Sequence, residues 1–330
     1  MSSATCDMDK SSDAWRIWSR LAAIGVMAAL LSLPAWNLLV DPFGVFGMPW
    51  AYQGPAANER YLKVQHLLDN HGLHDTFVVG SSVVGAVDPQ EVDGRLGLED
   101  GQAYNLSFFA ARPGEILAVL KALKAKGVAI RHAVYGIEPI AFSDPKTYGA
   151  AYWQHPAVSG DAYPSFLAGN LVARSLTEGM DKVAGNLGSP FIRYDLGKGT
   201  YFLDKFERER AKDPAGYAKA HLNAKDWSVP PWVEQRFGEF AELAAWFRQT
   251  QVDVRFYLNP LSPPLARAYG QARLAEFKGR IMQAGKLDGL ADCTRILDGQ
   301  AVDAFYDAKH FRPGFSTRVL DCGPGAIKPP

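Results

Sequence analysis

The fold is decided by the stretch Thr76-Phe77-Val78-Val79-Gly80-Ser81-Ser82. Its first four residues form a short, mainly apolar run, and the glycine and two serines that follow are typical of turns. A run of this length that ends at turn residues predicts a buried strand over residues 76–79, which leads directly into a tight turn.

Comparable runs recur along the chain, separated by stretches with helical periodicity. They predict strands at residues 103–106, 132–137 and 252–258, and helices at residues 58–70, 113–126, 231–249 and 264–284. Strands that alternate with helices are typical of a parallel sheet with right-handed crossovers and helices on both faces. We therefore expect a three-layer α/β/α fold with a ligand crevice at the carboxyl ends of the strands.

The alternation stops between about residues 139 and 230. We predict that this segment is an insertion that forms a cap beside the site. Its aromatic rings either stack on sugars or build the insertion's own core, and the sequence leaves both interpretations open. The rings belong to Tyr148, Tyr152, Trp153, Tyr163, Phe166, Tyr194, Tyr201, Phe202 and Trp227.

Residues 21–40 contain no charged side chain, and about 20 apolar residues are what a bilayer core requires. Basic residues are frequent before this segment and scarce just after it, which by the positive-inside rule places the N-terminus in the cytoplasm. We predict a cytoplasmic tail at residues 1–20, a transmembrane anchor at 21–40 and a periplasmic domain at 41–330.

Two other interpretations of the N-terminal segment stay open. A cleaved signal peptide would end near Leu33-Pro34-Ala35, which is a poor match to the small-x-small cleavage site. A buried helix of a soluble protein is compatible with Pro34 and Asn37 near the end of the segment.

Charge and composition exclude several classes of protein. The 330 residues include 35 basic and 35 acidic side chains, so the net charge is zero and no overall field attracts nucleic acid. Hydrophobic residues make up 48% and aromatic residues 12% of the chain, which excludes a disordered protein. The chain is long enough for a substantial core.

Three cysteines, at positions 6, 293 and 322, are too few for a disulfide scaffold and lack the spacing of zinc ligands, so we expect no structural metal. Export would leave Cys6 in the cytoplasm and place Cys293 and Cys322 together in an oxidising compartment. This predicts a Cys293–Cys322 disulfide, with two buried free thiols as the alternative.

Two sequence features could supply chemistry. Ser82 follows a predicted buried strand, where helix amides could bind an oxyanion, although Gly-Ser-Ser is also an ordinary turn and cap. In Asp307-x-x-His310, a carboxylate at this spacing could orient an imidazole toward a serine. About 0.5 such matches are expected by chance, so the position after the last predicted strand is what favours this one. His71-x-x-His74-Asp75 resembles a metal cluster only loosely and also fits a surface loop.

The order of these motifs resembles a known superfamily. Gly80-Ser81-Ser82, Tyr104-Asn105-Leu106-Ser107 and Asp307-x-x-His310-Phe311 resemble the blocks of SGNH (GDSL-like) hydrolases. Together with Asn58-Glu59-Arg60-x-x-Lys63, Asp88-Pro89 and a single N-terminal anchor, they resemble the membrane-anchored SGNH-like proteins of bacterial polysaccharide O-acetylation and teichoic acid D-alanylation.

The resemblance implies a flavodoxin-like sheet and a serine mechanism without a cofactor. Ser82 takes the nucleophile position, His310 that of the general base, and Asp307 that of the residue that orients it. The oxyanion site would comprise Ser82, Asn105 and Ala110, and Ala110 stands where the family has a glycine that donates its backbone N–H.

The third block departs from the family pattern. Gly136-Ile137-Glu138-Pro139 stands where a Gly-x-Asn-Asp-like motif is expected, and an ionised carboxylate at Glu138 would oppose an oxyanion. Arg112 could bind an anionic polymer group or be solvated. Asn259 could complete the set of donors or be a turn residue before a proline. These three are the candidate substrate-binding residues.

The function implied is a serine-dependent O-acyltransferase or carboxyl-ester hydrolase that acts on a cell-surface or exported polysaccharide. It would be anchored in the bacterial inner membrane with its C-terminal domain in the periplasm, and a membrane-bound O-acyltransferase would be its partner. The alternative is a non-catalytic polysaccharide-binding or scaffold component, which Glu138 favours. A plain secreted esterase is a third interpretation, which residues 21–40 disfavour.

Overall fold

The computed structural model describes residues 8–48, 57–143, 154–186, 192–222, 229–298 and 301–322. Within these residues, a parallel five-stranded sheet has the order β2-β1-β3-β6-β7, and a separate antiparallel hairpin pairs β4 with β5. The strands are β1 Thr76–Gly80, β2 Ala103–Asn105, β3 His132–Ile137, β4 Arg193–Asp195, β5 Thr200–Phe202, β6 Asp253–Leu258 and β7 Ala291–Asp292.

Helices precede, separate and follow these strands. They are α1 Met8–Val40, α2 Glu59–Asp69, α3 Pro89–Leu96, α4 Pro113–Ala125, α5 Pro156–Ser159, α6 Tyr163–Val172, α7 Leu176–Asn186, α8 Asp204–Lys212, α9 Pro214–Tyr217, α10 Glu234–Gln249, α11 Pro263–Tyr269, α12 Gln271–Gly285, α13 Ala301–Ala304 and α14 Ser316–Cys322. Short 3₁₀ helices occupy Ser82–Ala86, Pro139–Phe142 and Pro313–Phe315, and a π-helical turn occupies Ala218–Leu222.

Both faces of the central sheet are covered. Alternate residues of a strand point to opposite faces, and in β1 Phe77 and Val79 join a core that includes side chains of α4, α10 and α12. Val78 points the other way, into a second core that includes Phe305 and Phe311. Every residue of β1 is buried, which is why its sequence reads as a continuous apolar run.

The predicted mixed α/β fold with a mainly parallel sheet is confirmed. The single helix predicted at residues 264–284 is wrong, because the chain breaks at Gly270, where φ is 76°, and forms α11 and α12 instead. The pattern also missed β7, whose two residues are not fully buried and therefore give no apolar run.

The N-terminal apolar segment forms one long helix. Its part at Ala14–Val40 contains an 18-residue window with a mean hydropathy of 1.9, and it is long and apolar enough to cross a membrane. Helix α1 already begins at Met8, so the helix includes part of the predicted tail. Asn37 is fully buried because it packs against α6, which explains a polar residue near the end of an apolar helix.

The segment between β3 and α10 contains α5–α9 and the β4–β5 hairpin. Phe166, Tyr194 and Tyr201 are buried in a core shared with Phe43 and Tyr61, so these three rings pack inside the protein. Of the remaining predicted rings, Tyr163 is exposed, Phe202 is half-buried, and Tyr148, Tyr152, Trp153 and Trp227 lie outside the described residues.

The structure joins Cys293 and Cys322 by a disulfide, with their Cα atoms 5.7 Å apart. The bond ties α14 to the end of β7, and Arg95 of α3 also binds Asp321 of α14 at 2.5 Å. Cys6 lies outside the described residues. The disulfide therefore closes a loop that contains both Asp307 and His310.

Candidate active site

The first site residue is placed by the end of β1. The chain turns sharply at Gly80, where φ is 152° and a Cβ would fall 2.8 Å from the carbonyl oxygen of Gly136 on β3. No larger residue fits so close to the neighbouring strand. The 3₁₀ helix Ser82–Ala86 begins two residues later, so Ser82 lies at the carboxyl edge of the sheet.

Ser82, His310 and Asp307 form one chain of hydrogen bonds. The Oγ of Ser82 lies 2.9 Å from Nε2 of His310, and Nδ1 of His310 lies 2.7 Å from Oδ2 of Asp307. Because a carboxylate only accepts, Nδ1 donates to Asp307 and, in the neutral imidazole, Nε2 accepts from the serine hydroxyl. This is the arrangement that activates a serine nucleophile.

Asp307 is held as a carboxylate. Burial by itself raises its pKa, but the charge of His310 and hydrogen bonds from the His310 ring and from the backbone N–H groups of Lys309 and His310 outweigh burial and lower the pKa to about 2. Both backbone N–H groups donate to Oδ1 at 2.8 Å. The carboxylate is therefore ionised and fixed in orientation at neutral pH.

The loop that contains this pair is anchored on both sides. Phe305 and Phe311 pair in an isolated bridge, and their side chains are fully buried beneath the sheet. The N–H of Tyr306 donates to the carbonyl of His310 at 2.8 Å, and the N–H of Arg312 donates to that of Ala304 at the same distance. These bonds hold the His310 ring over the end of β1.

Ser81, the residue before Ser82, has a different partner. Its hydroxyl donates to Oε1 of Glu138 and accepts from the N–H of Val83 at 3.3 Å. Glu138 follows β3 and is buried. It was a candidate for binding substrate, but in the structure one of its oxygens is already bound to Ser81.

Asn105, of the Tyr104-Asn105-Leu106-Ser107 motif, supports the turn after β1 from the neighbouring strand β2. The side-chain amide of Asn105 donates to the carbonyls of Val84 and Val87 at 2.8 and 3.0 Å, and its Oδ1 accepts from the N–H and hydroxyl of Ser107. Both amide hydrogens are used, which corrects the prediction that Asn105 belongs to an oxyanion site. It is a positioning residue.

Ala110 adopts a backbone conformation that favours glycine. Its φ is 54°, in the left-handed region, which alanine enters only at some cost. Phe108 pairs with Ser81 in an isolated bridge, so Ala110 lies two residues beyond a contact with the turn that contains Ser82. The sequence could have indicated this conformation, because the SGNH pattern that it resembles has a glycine at this position.

A buried ionic cluster holds the loop over residues 107–110, and no role for it was predicted from the sequence. The fully buried Lys63 donates to the carbonyl of Ser107, and Glu59 accepts from the N–H of Phe109. Arg60 donates to the carbonyl of Phe109 at 2.8 Å and binds Glu115. The spacing Glu-Arg-x-x-Lys on α2 places these groups toward one loop.

Burial dominates the electrostatics of this cluster. It lowers the pKa of Lys63 to about 8, although Glu59, whose Oε2 lies 3.9 Å away, partly opposes the shift. Burial also raises the pKa of Glu59 against the charges of Lys63 and Arg60. Lys63 and Glu59 can both be buried because their charges are opposite and each side chain also makes a hydrogen bond to the backbone of the loop over residues 107–110.

Arg112 and Asn259 lie at the same edge of the sheet. Arg112 immediately precedes α4 and is only 6% exposed, so the interpretation of a solvated arginine is wrong. Asn259 follows β6, is fully buried, and its side-chain amide has no hydrogen-bond partner within the described part of the chain. A Cβ on Gly136 would lie 2.8 Å from its Oδ1, so Asn259 packs against the end of β3.

The His71–His74 pair gives no metal site. Residues 71–73 are exposed, as a surface loop would be, whereas His74 is buried with its ring centroid 5.0 Å from that of Tyr104. Across the described residues, no group of three His, Cys, Asp or Glu side chains could hold a metal ion.

The β4–β5 hairpin packs directly against the site. The hydroxyl of Tyr201 donates to the carbonyl of Ser82, and its ring occupies the space where a Cβ on Gly85 would lie. The carbonyl of Lys198 accepts from the N–H of Asn105 at 2.9 Å. Tyr201 is therefore a site residue, which the sequence showed only as one of many aromatic residues.

No protein-family model matches the chain, and no curated protein matches its sequence. Inference about its function therefore rests on the geometry of the site and on the motifs themselves.

Proposed function

We propose that this chain is a membrane-anchored, serine-dependent acyltransferase or esterase of the SGNH type. The observation that carries the proposal is the hydrogen-bonded chain from Ser82 through His310 to Asp307 at the carboxyl edge of a parallel sheet. Side chains 228 residues apart meet here in the order that serine catalysis requires.

The arrangement of the sheet supports the same proposal. Taken in chain order, its five parallel strands follow the order 2-1-3-4-5, which is that of flavodoxin-like folds. The helices and the hairpin between β3 and α10 would form the cap, since Tyr201 already contacts the backbone of Ser82.

The mechanism follows from the geometry. His310 takes the proton of the Ser82 hydroxyl as the oxygen forms a bond to an acyl carbonyl, and the N–H groups of Ser82 and Ala110 donate to the oxyanion. The donor's leaving group departs with the proton from His310. A sugar hydroxyl, or water, then loses its proton to His310 and attacks the acyl carbon, and the bond to Ser82 breaks as His310 returns that proton to the Ser82 oxygen.

The substrate class rests on the resemblance and on the apolar helix α1. A polysaccharide hydroxyl would be the acceptor, and the domain would lie on the periplasmic side of a bacterial inner membrane. The acyl donor would come through a membrane-bound O-acyltransferase. No step in this mechanism requires a cofactor.

One observation favours the second candidate, a scaffold that binds polysaccharide without turnover. Ser82 is 5% exposed and His310 8%, and Glu138 stands beside the turn where the family has an amide donor. A closed nucleophile with a carboxylate nearby is compatible with a fold that has lost catalysis.

The test uses the full-length chain in detergent, because Trp36 and Asn37 of α1 pack against the rest of the protein. A fluorophosphonate probe and mass spectrometry identify the reactive residue, with His310→Ala as the control. We expect labelling at Ser82 that the control abolishes. 4-Nitrophenyl acetate with a soluble oligosaccharide then separates the two reactions, since acetylated sugar indicates a transferase and acetate alone an esterase. An unlabelled, folded protein would contradict the proposal and favour the scaffold.

A further inference from the structure

Two helices of the inserted segment pack against the last turns of α1. The side-chain amide of Asn37 donates to the carbonyls of Leu171 and Ala173, both at 2.8 Å, just at and after the end of α6. The indole of Trp36 lies so close to α7 that a Cβ on Gly179 would fall 2.5 Å from its Nε1. Helix α7 is thus held beside the end of α1.

Helix α7 presents an apolar stripe to the outside. Leu176, Met180 and Val183 are 60, 60 and 41% exposed, and their spacing places them on one side of the helix. Val172, at the end of α6, is 63% exposed. In a soluble protein such a stripe faces the core, whereas here a neighbouring side of the helix, with Gly179 and the buried Lys182, faces inward.

The tryptophans of α1 indicate at which depth of a bilayer this stripe would lie. Trp15 and Trp18 are exposed near the N-terminal end, and Trp36 lies near the other end. From Trp18 to Trp36 the helix rises about 27 Å at about 1.5 Å per residue, close to the roughly 30 Å of a hydrocarbon core. Tryptophan is enriched at both membrane interfaces, so Trp36 and the helix packed on it lie at the second interface.

We propose that α6 and α7 form an interfacial element that places Leu176, Met180 and Val183 in the boundary of the bilayer that α1 crosses. The occupant of the stripe is lipid, because α7 packs on the end of the apolar helix α1, whose Leu38 and Leu39 are exposed as well. An amphipathic helix with this pattern lies in the plane of the interface.

The consequence is a fixed orientation of the domain. A single helix leaves a domain free to tilt above the membrane, whereas a second contact at its foot limits that motion. The edge of the sheet with Ser82 would then be held at a constant height above the membrane. This inference does not depend on the chemistry of Ser82.

The test places a fluorophore on the stripe in the full-length chain. Met180→Cys, in a Cys6→Ser background with the disulfide left intact, is labelled with nitrobenzoxadiazole and reconstituted into phosphatidylcholine and phosphatidylglycerol vesicles. The matched control is Asp181→Cys, the next residue, which is exposed but points away from the stripe. Leu39→Cys reports insertion of α1.

We expect lipids with a nitroxide near the headgroup to quench the label at positions 180 and 39 at least twofold more than at position 181. Quenching at 39 but not at 180 would overturn the proposal. Iodide access at 180 would then show a stripe in water, and protection from both quenchers would show a stripe covered by protein. A label at 39 that escapes quenching would also overturn it, since α1 would lie outside the bilayer. Thermal unfolding of each variant checks that it is folded.

Discussion

Ser81 and Ser82 are neighbours at the end of β1, yet they meet different partners. The hydroxyl of Ser82 faces the imidazole of His310, whereas that of Ser81 donates to the carboxylate of Glu138. An imidazole can take a proton and return it near neutral pH, whereas an ionised carboxylate mainly holds the hydroxyl in place. The difference teaches that the partner, and not the residue type, decides which of the two serines is placed for activation.

The largest effect is expected when each of the two serines is replaced by alanine in a separate variant. Ser82→Ala should abolish fluorophosphonate labelling, because the nucleophile itself is removed. Ser81→Ala should keep labelling within about tenfold, because it removes a cap worth about 1 kcal/mol and leaves His310 in place. Mass spectrometry of the labelled peptide checks both. Equal loss in the two variants would show that the serines act as one unit.

Removing the carboxylate behind His310 should have the next largest effect. Asp307→Asn should slow labelling about 10³-fold or more, because the ring loses the acceptor that fixes its tautomer. The rate of labelling against probe concentration measures this loss. A rate equal to that of the parent would show that Asp307 plays no part in activation.

Asp307 also predicts a pH dependence of stability. Its pKa is about 2 in the folded chain, below the ordinary 3.8, so its stabilising effect is complete above about pH 4 and is lost as the pH falls toward 2. The gap in melting temperature between the parent and Asp307→Asn should therefore shrink over that range. A constant gap would contradict the ionic role.

Removing the charges of the buried cluster on α2 tests whether the turn that contains Ser82 depends on that cluster. Replacing Glu59→Gln together with Lys63→Met removes both charges and leaves neither unpaired. We expect labelling of Ser82 to slow about 10- to 100-fold, because the loop over residues 107–110 loses the hydrogen bond from Lys63 and keeps only a neutral acceptor at position 59, while the fold persists. Labelling kinetics and melting temperature are measured together, with exposed Glu242→Gln as the control. Unchanged labelling would show that the cluster is only structural.

Neutralising the partner of Ser81 should have the smallest effect. Glu138→Gln keeps an oxygen that accepts from Ser81 and removes a negative charge beside the turn, so hydrolysis of 4-nitrophenyl acetate should rise about threefold. Glu242→Gln again serves as the control. A lower rate would mean that the charge of Glu138 assists the reaction.

Much of the architecture was predictable because it depends on local patterns. The apolar run of β1 and the helical periodicity of α4 indicate which faces are buried, and burial is what forms these elements. Ser82, Asp307 and His310 were predicted from motif order, since each motif is short and local. The break at Gly270 escaped the prediction because a glycine within a helical pattern is compatible with either outcome.

By itself, the sequence determined the mixed α/β class, the apolar N-terminal helix and the residues that could react, since side-chain periodicity and residue type suffice for these. Only the tertiary structure decided that His310 reaches Ser82, that Asn105 has no free donor, that Lys63 is buried beneath a loop and that the stripe on α7 faces outward. Each of these depends on which distant segments the sheet order brings together. A local sequence pattern does not specify the order of strands in the sheet, because contacts between distant segments depend on how the whole chain packs.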